Sequence, residues 1–343
     1  MQETPAELGR LIEGYKLCAK SEGKSQNTID IVSNSVNYFH DFLSTHGLPT
    51  NVRYIDTQEI RAFTLHLQQK RCFSNHAFSR PQERGLSSHT INCYLRSIRA
   101  FWSWLISEEI IDDNPFLKVK LPKPLRKVIP TFSESQILQL LSVINIGTPE
   151  GYRNYAIILT LLDTALRVSE LTTVKMDDLW LDEGLLKVMG KGGKERFIPI
   201  GREVQRMLWR YINRHRPRPL NQNFDFLFLT KDGRKMTKGR IELIIKEYGE
   251  KAGIIGIRCS PHTLRHTAAV SYLRNGGDVF SLQRLLGHTT LEMTRHYCEL
   301  ADIDVKKAHL TASPVDNLGL GKHKRWGRSE HSYSRFSGSK NCK

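Results

Sequence analysis

The chain has 343 residues, 39% hydrophobic and 25% charged, an ordinary composition but more chain than one core usually organises, so two domains are expected. Its formal net charge of +16 points to a polyanionic partner, nucleic acid before an anionic membrane surface. No run of eighteen or more apolar residues is present, which excludes a helical membrane span. The opening MQETPAELGR lacks the apolar core of a secretory leader, and six cysteines (Cys18, Cys72, Cys93, Cys259, Cys298, Cys342) fall without framework spacing, which predicts a reduced, cytoplasmic protein.

Helical periodicity fills the first part of the chain. The pattern predicts helices over Leu8–Ser21, over Thr28–Ser44 with Ile29, Val32, Val36, Phe39 and Leu43 at helical spacing, over Asp56–Lys70, and over Ser88–Ile111. Asp56 followed by Glu59 has the spacing of a helix start. Residues 71–87 hold turn formers without a clean period and are expected to be loop. Next comes NPFLKVKLPKPLRKVIP, where Pro115, Pro122, Pro124 and Pro130 forbid a continuous helix. Lys118, Lys120, Lys123, Arg126 and Lys127 face no acidic residue between Asn114 and Ser133. This segment reads either as a solvated tether or as an extended contact to DNA phosphates.

A second domain is expected from residue 131, where Ser133 and Gln136 have capping-box spacing. Helices are predicted over Gly151–Leu162 and Val168–Val174. The period then changes, and Leu185–Met189 and Arg196–Ile200 read as short strands around a GKGGK turn. Helical patterns resume over Arg202–Asn213, Thr237–Gly249, Thr263–Asn275, Val279–Leu286 and Thr289–Leu300. For the last, Thr289 is expected as N-cap with Glu292 completing a capping box. The basic, aperiodic end, residues 313–343, reads as a disordered tail. The resulting division is 1–114, a linker 115–130, 131–312 and the tail.

Four clusters could carry chemistry. In TALRVSEL, Arg167 follows a strongly apolar run, and Glu170 is its local partner; the pair is either structural or an arginine held for an external phosphate. GKGGKER places Lys191 and Lys194 around glycines, either a solvated hairpin tip or a mobile lysine able to reach a leaving oxygen; it lacks P-loop spacing. In PHTLRHT, His262 and Arg265 share a helix face, suited to a phosphate through a guanidinium clamp beside a group that moves protons near neutral pH. An idle surface pair is the plain alternative. A zinc site is another: Cys259, His262 and His266 have C-x-x-H-x-x-x-H spacing, but a fourth ligand is unassigned and Arg265 would lie beside the cation. The fourth cluster runs from LGH, with His288, to Tyr297, which by itself reads as a packing residue.

Taken together and in order, Arg167, Lys191, His262-x-x-Arg265, His288 and Tyr297 resemble the tyrosine recombinase (phage integrase) family. TALRVSEL resembles its first arginine box, MGKGGKERFIPI its β-hairpin lysine, and PHTLRHTAAV with LLGHTTLEMTRHY its second box. LSSHTINCYLRSIRAFWSWL and DDNPFLKVKLPKP resemble the N-terminal core-binding domain of Xer-like and transposon-borne members. The likeness covers roughly residues 8–310. Ala165 departs from it, standing where the family often has glycine.

The resemblance implies a mainly α protein with a small β-hairpin or sheet. It would comprise an N-terminal helical, SAM-like core-binding bundle and a C-terminal mixed α/β catalytic domain. It implies site-specific breakage and rejoining of double-stranded DNA through a 3′-phosphotyrosyl link, without ATP, metal or other cofactor. Tyr297 is then the nucleophile, Arg167 and Arg265 the phosphate clamp and His262 the proton acceptor. His288 is a donor to the phosphate, Lys191 the general acid with Lys194 as fallback, and Glu170 a support. Lys118, Lys120, Lys123, Arg126, Lys127, Lys194 and Arg196 are expected against DNA. Strand exchange implies a homotetramer, or a heterotetramer with a related recombinase, with Leu300–Leu310 docking on a neighbouring subunit. The rivals are a type IB topoisomerase-like relaxing enzyme and a non-catalytic architectural DNA-binding protein.

Overall fold

The structure is a computed structural model that describes residues 7–71, 85–120, 130–190, 193–221, 223, 225–301, 309 and 313–318. The chain divides into two compact units, residues 1–127 and 128–343.

The first unit is a helical bundle of α1 (Leu8–Ser21), α2 (Gln26–Thr45), α3 (Thr57–Gln69) and α4 (Ser88–Ser107). Each helix buries one stripe, and the core is aromatic: Tyr15, Phe39, Phe63, Phe101 and Trp102 are all at most 2% exposed. Helix α2 begins two residues before its apolar pattern, because Ser25 Oγ accepts Thr28 N–H at 3.3 Å. The Asp56–Glu59 capping box forms. Helix α4 stops at Ser107 rather than Ile111, where Glu109 turns to φ 57° and breaks the helical path.

Pro115–Lys118 forms a 3-10 turn capped by Asn114. It seats Phe116 on Trp102 with ring centroids 4.9 Å apart. The start of the basic segment therefore packs on the bundle instead of extending, and Lys118 is paired with Asp113 at 2.5 Å. Of the expected loop 71–87, residues 72–84 lie outside the described residues; Arg71 and Gly85 pair at its ends.

The second unit is built around α6 (Pro149–Thr164) and α10 (Pro261–Arg274), each buried over most of its circumference. Helix α5 (Glu134–Ser142) starts at the Ser133–Gln136 capping box, and α7 is one turn, Val168–Leu171. Three antiparallel strands follow in the order β1 (Leu179–Trp180), β2 (Leu185–Met189) and β3 (Glu195–Pro199). In the β2–β3 register Leu186 faces Ile198 and Val188 faces Arg196. Leu186, Val188 and Ile198 are buried, so this face of the sheet, Arg196 included, turns inward. Helix α8 (Arg202–Arg210) ends in a π-type turn over Tyr211–His215. Helices α9 (Lys238–Lys251), α11 (Val279–Leu286) and α12 (Glu292–Ala301) complete the unit.

Candidate active site

Arg167 lies between the end of α6 and the start of α7. Ala165 closes α6 in the left-handed region at φ 51°, the conformation a glycine would adopt freely. The turn that glycine would favour is thus kept with an alanine, and it leaves the Ala165 carbonyl free to accept Arg265 Nη1 at 2.6 Å.

Three residues after Arg167, Glu170 collects two cations. Its Oε1 accepts Arg167 Nη1 at 3.0 Å and Arg196 Nη1 at 3.0 Å. Its Oε2 accepts the Arg167 backbone N–H at 2.9 Å and Arg196 Nη2 at 2.9 Å. Burial alone would raise the Glu170 carboxyl, but the hydrogen bonds from Arg196 and the Arg167 backbone, with both positive charges, outweigh it and hold it below the usual range.

The C-terminal carbonyls of α11 hold the same guanidinium groups. Leu286 O accepts Arg265 Nη2 at 2.8 Å and Arg167 Nη1 at 3.4 Å, and Leu285 O accepts Arg196 Nε at 3.3 Å. Three cations therefore gather at the negative end of a helix dipole. Their fates differ. Arg265 is 4% exposed, and burial with its neighbour Arg167 lowers it to about 10, which still leaves it a cation at neutral pH. The Arg167 side chain remains 38% exposed and can reach an external anion. Arg196, expected against DNA, instead turns inward with its side chain 15% exposed.

The histidines and the tyrosine close the site. His262 is exposed on the first turn of α10, and its Nε2 lies 2.8 Å from Nε2 of buried His266. One ring donates to the other, so Nδ1 is the nitrogen that His262 keeps for chemistry. Burial first, then Arg265, Arg258 and Arg167, keep His262 below the usual imidazole range. His288 is held by Thr294 Oγ1 at 3.0 Å on Nδ1 and by Arg265 Nη2 at 3.4 Å on Nε2. Burial and the Arg265, Arg167 and Arg196 charges push it down to about 4, so it is neutral at pH 7. Tyr297, on α12, is 4% exposed, and burial raises its phenol despite Arg265 and Arg167. Its ring centroid is 5.3 Å from that of His266 and 6.2 Å from that of His288.

The capping box expected at Thr289 does not form. Helix α12 begins at Glu292, and the N–H groups of Thr294 and Arg295 both donate to Leu291 O at 2.9 Å. Thr289 Oγ1 contacts Met293 Sδ at 3.9 Å instead. His288 is thus fixed by Thr294, in the first turn of α12, and by Gly287, which ends α11 in the left-handed region.

Arg167, His262, Arg265, His288 and Tyr297 line one cleft of about 1410 Å³. Lys191 lies outside the described residues, as do Lys123, Arg126, Lys127 and most of 300–310. Lys194 and Lys120 are exposed. In the zinc alternative, His262 and His266 bond to each other and Cys259 lies against Gly249. Among the described residues no group of three or more His, Cys, Asp and Glu side chains is placed to hold a metal.

Three site residues escaped the sequence reading in these roles. Arg196 had a signal: in ERFIPI, alternation puts Arg196 on the face of Ile198 and Ile200. His266 had only its helical spacing from His262, and Thr294 had none.

The phage integrase family matches residues 130–303, and the phage integrase SAM-like domain matches residues 13–121. Tyrosine recombinase XerD of Listeria innocua is 31% identical over 296 residues, covering 85% of this chain and 94% of that protein. Tyrosine recombinase XerC of Bacillus pumilus is 33% identical over 276 residues, covering 79% and 88%. Among solved structures, the Tn1549 transposon integrase in complex with transposon right end DNA superposes with a TM-score of 0.67 at 21% identity, covering 85% of this chain and 94% of that one. XerH recombinase bound to a palindromic difH substrate gives 0.66 at 20% identity, covering 90% and 85%.

Proposed function

The chain belongs to the phage integrase family and is a tyrosine-type site-specific DNA recombinase; from that premise we propose that it cuts and reseals duplex DNA through a 3′-phosphotyrosyl link to Tyr297. The observation that supports this most is the convergence on one cleft of Arg167, His262, Arg265, His288 and Tyr297, drawn from segments far apart in the chain.

Tyr297 Oη attacks phosphorus and the P–O5′ bond breaks. An ordinary phenol, with pKa near 10, costs about 4 kcal/mol to ionise at pH 7, and burial makes Tyr297 harder still to ionise. The proton therefore leaves during attack. It passes to a phosphate oxygen or to His262 Nδ1, which accepts it when His262 donates its Nε2–H to His266. Arg167 and Arg265 stabilise charge growing on the non-bridging oxygens, and loss of one such preorganised donor costs roughly 3–4 kcal/mol. Against Arg265 Nη2, which can only donate, His288 Nε2 accepts; to donate to the phosphate through Nε2–H the ring takes its other tautomer, giving up the Arg265 contact while the Thr294 hydroxyl donates into Nδ1. Lys191, or failing it Lys194, gives the 5′ oxygen its proton. Resealing runs the same steps in reverse, with the bond energy kept in the phosphotyrosyl ester.

Lys118, Lys120, Lys123, Arg126, Lys127 and Lys194 contact the DNA backbone. Exchange between two duplexes calls for a tetramer on paired sites, formed by this chain alone or with a related recombinase, with residues 300–310 docking on a neighbour. The reaction takes place in the cytoplasm.

The test is a nicked duplex carrying the recombination site, from which the cleaved end diffuses away. Wild type is expected to accumulate a covalent adduct and Tyr297→Phe none; an adduct in the Phe variant removes Tyr297 as nucleophile. Arg167→Ala is expected to bind the duplex and cleave it about 10²–10³-fold more slowly. Equal loss of binding and cleavage would assign Arg167 to docking instead.

A further inference from the structure

We propose that Arg196 is a positioning residue that mounts the lysine-bearing β2–β3 turn on the carboxylate holding the phosphate clamp, and that its contribution to cleavage is made through the lysine. The proposal rests on the reading of a turn lysine as the group that protonates the leaving 5′ oxygen.

Arg196 sits on β3, close after the GKGGK turn. Its guanidinium takes both oxygens of Glu170, at 3.0 and 2.9 Å, and its Nε reaches Leu285 O at 3.3 Å. The ion pair is shielded: Glu170 is 5% exposed and Arg196 15% by side chain. A two-point guanidinium–carboxylate contact fixes orientation as well as distance.

The guanidinium also lies between two glycines. A Cβ on Gly190, at the root of the turn, would come within 3.3 Å of Arg196 Nη1. One on Gly287, which ends α11, would come within 3.0 Å of Arg196 Cζ. Gly190 N–H donates to Lys194 O at 2.8 Å and closes the turn. The arm of the hairpin is therefore tied, through one largely shielded side chain, to Glu170 and the end of α11.

Removing Arg196 leaves Arg167 provided for. Glu170 still accepts the Arg167 backbone N–H and Nη1, and Leu286 O still accepts Arg167 and Arg265. What the hairpin loses is its anchor to the clamp. The defect belongs to the proton delivered to O5′ as the P–O5′ bond breaks, a transfer that depends steeply on placement.

The experiment compares single-turnover cleavage of two nicked duplexes, one with the natural 5′ oxygen at the scissile phosphate and one with bridging sulfur there. A thiolate leaves without a proton, so a defect in proton delivery disappears on the sulfur duplex, while a clamp defect does not. Arg196→Lys and Arg196→Gln are expected to bind DNA as wild type does and to cleave the oxygen duplex about 10²-fold more slowly. On the sulfur duplex they should approach the wild-type rate, whereas Arg167→Ala stays slow on both.

An Arg196 defect of equal size on both duplexes, or no defect on either, overturns the proposal. Lys191→Ala and Lys194→Ala separate the two levels. If a lysine variant is rescued by sulfur and Arg196→Gln is not, the proposal alone falls. If neither lysine variant is rescued, the general-acid reading falls and takes the proposal with it.

Discussion

His266 and His288 are both pushed down to about 4, and for each the largest cause is burial. Charge repulsion adds to it: around His266 from His262, Arg265, His296 and His288, the imidazoles contributing only as they protonate, and around His288 from Arg265, Arg167 and Arg196. Because the folded values lie below the ordinary histidine value, the unfolded chain takes up these protons first. The stabilisation is complete above about pH 6.5 and is lost as pH falls toward 4. Glu170, held below the usual carboxylate range, keeps its contribution above that range and loses it only as pH drops through its own lower value. The urea midpoint of the second unit is therefore expected to be lower at pH 5 than at pH 7.5. A midpoint that is unchanged, or that rises on acidification, contradicts this account of the buried imidazoles.

The elements that matter most for the site are its helix ends. The C-terminus of α11 holds Arg167, Arg196 and Arg265 by its last carbonyls, and Gly287 makes the close approach possible at φ 62°. Gly287→Ala is expected to cost at least about 1 kcal/mol from the left-handed backbone alone. Its methyl would also meet the Arg196 guanidinium. Thermal unfolding should fall by about 2–4 °C per kcal/mol in a unit of this size, with cleavage reduced further than stability explains. Unchanged melting would mean that the turn relaxes at no cost.

The same elements show what the amino-acid pattern could reveal. Caps that use adjacent residues, such as Ser133 with Gln136 and Asp56 with Glu59, were readable because their partners are three residues apart. So was α11, whose ends match its pattern, Val279–Leu286. Thr289 and Glu292 offered the same local signal and it failed, because Leu291 takes the cap position and the Thr294 hydroxyl is used on His288. The order of the site residues was legible as a family pattern. That Glu170 binds Arg196 as well as Arg167 depends on contacts across 26 positions of sequence, which no local period encodes.

At the scale of the whole molecule the governing quantity is charge. Residues 319–343 hold seven of the Lys and Arg side chains and one Glu, a large part of the net +16. Deleting them is expected to weaken DNA binding to all sequences alike and to flatten its dependence on salt, since each lost phosphate contact removes about 0.9 from the slope of log K against log salt. Single-turnover cleavage of prebound DNA should be unchanged; a loss confined to the cognate site would instead assign those residues to sequence recognition.

The central claim, that this cleft joins DNA to Tyr297, is tested most directly by isolating the covalent adduct from a nicked duplex, digesting it with trypsin and locating the attached nucleotide by mass spectrometry. The expected product is a 3′-linked nucleotide on the tyrosine of HYCELADIDVK, the peptide beginning at His296. A nucleotide on any other side chain, or one joined through its 5′ phosphate, would contradict it.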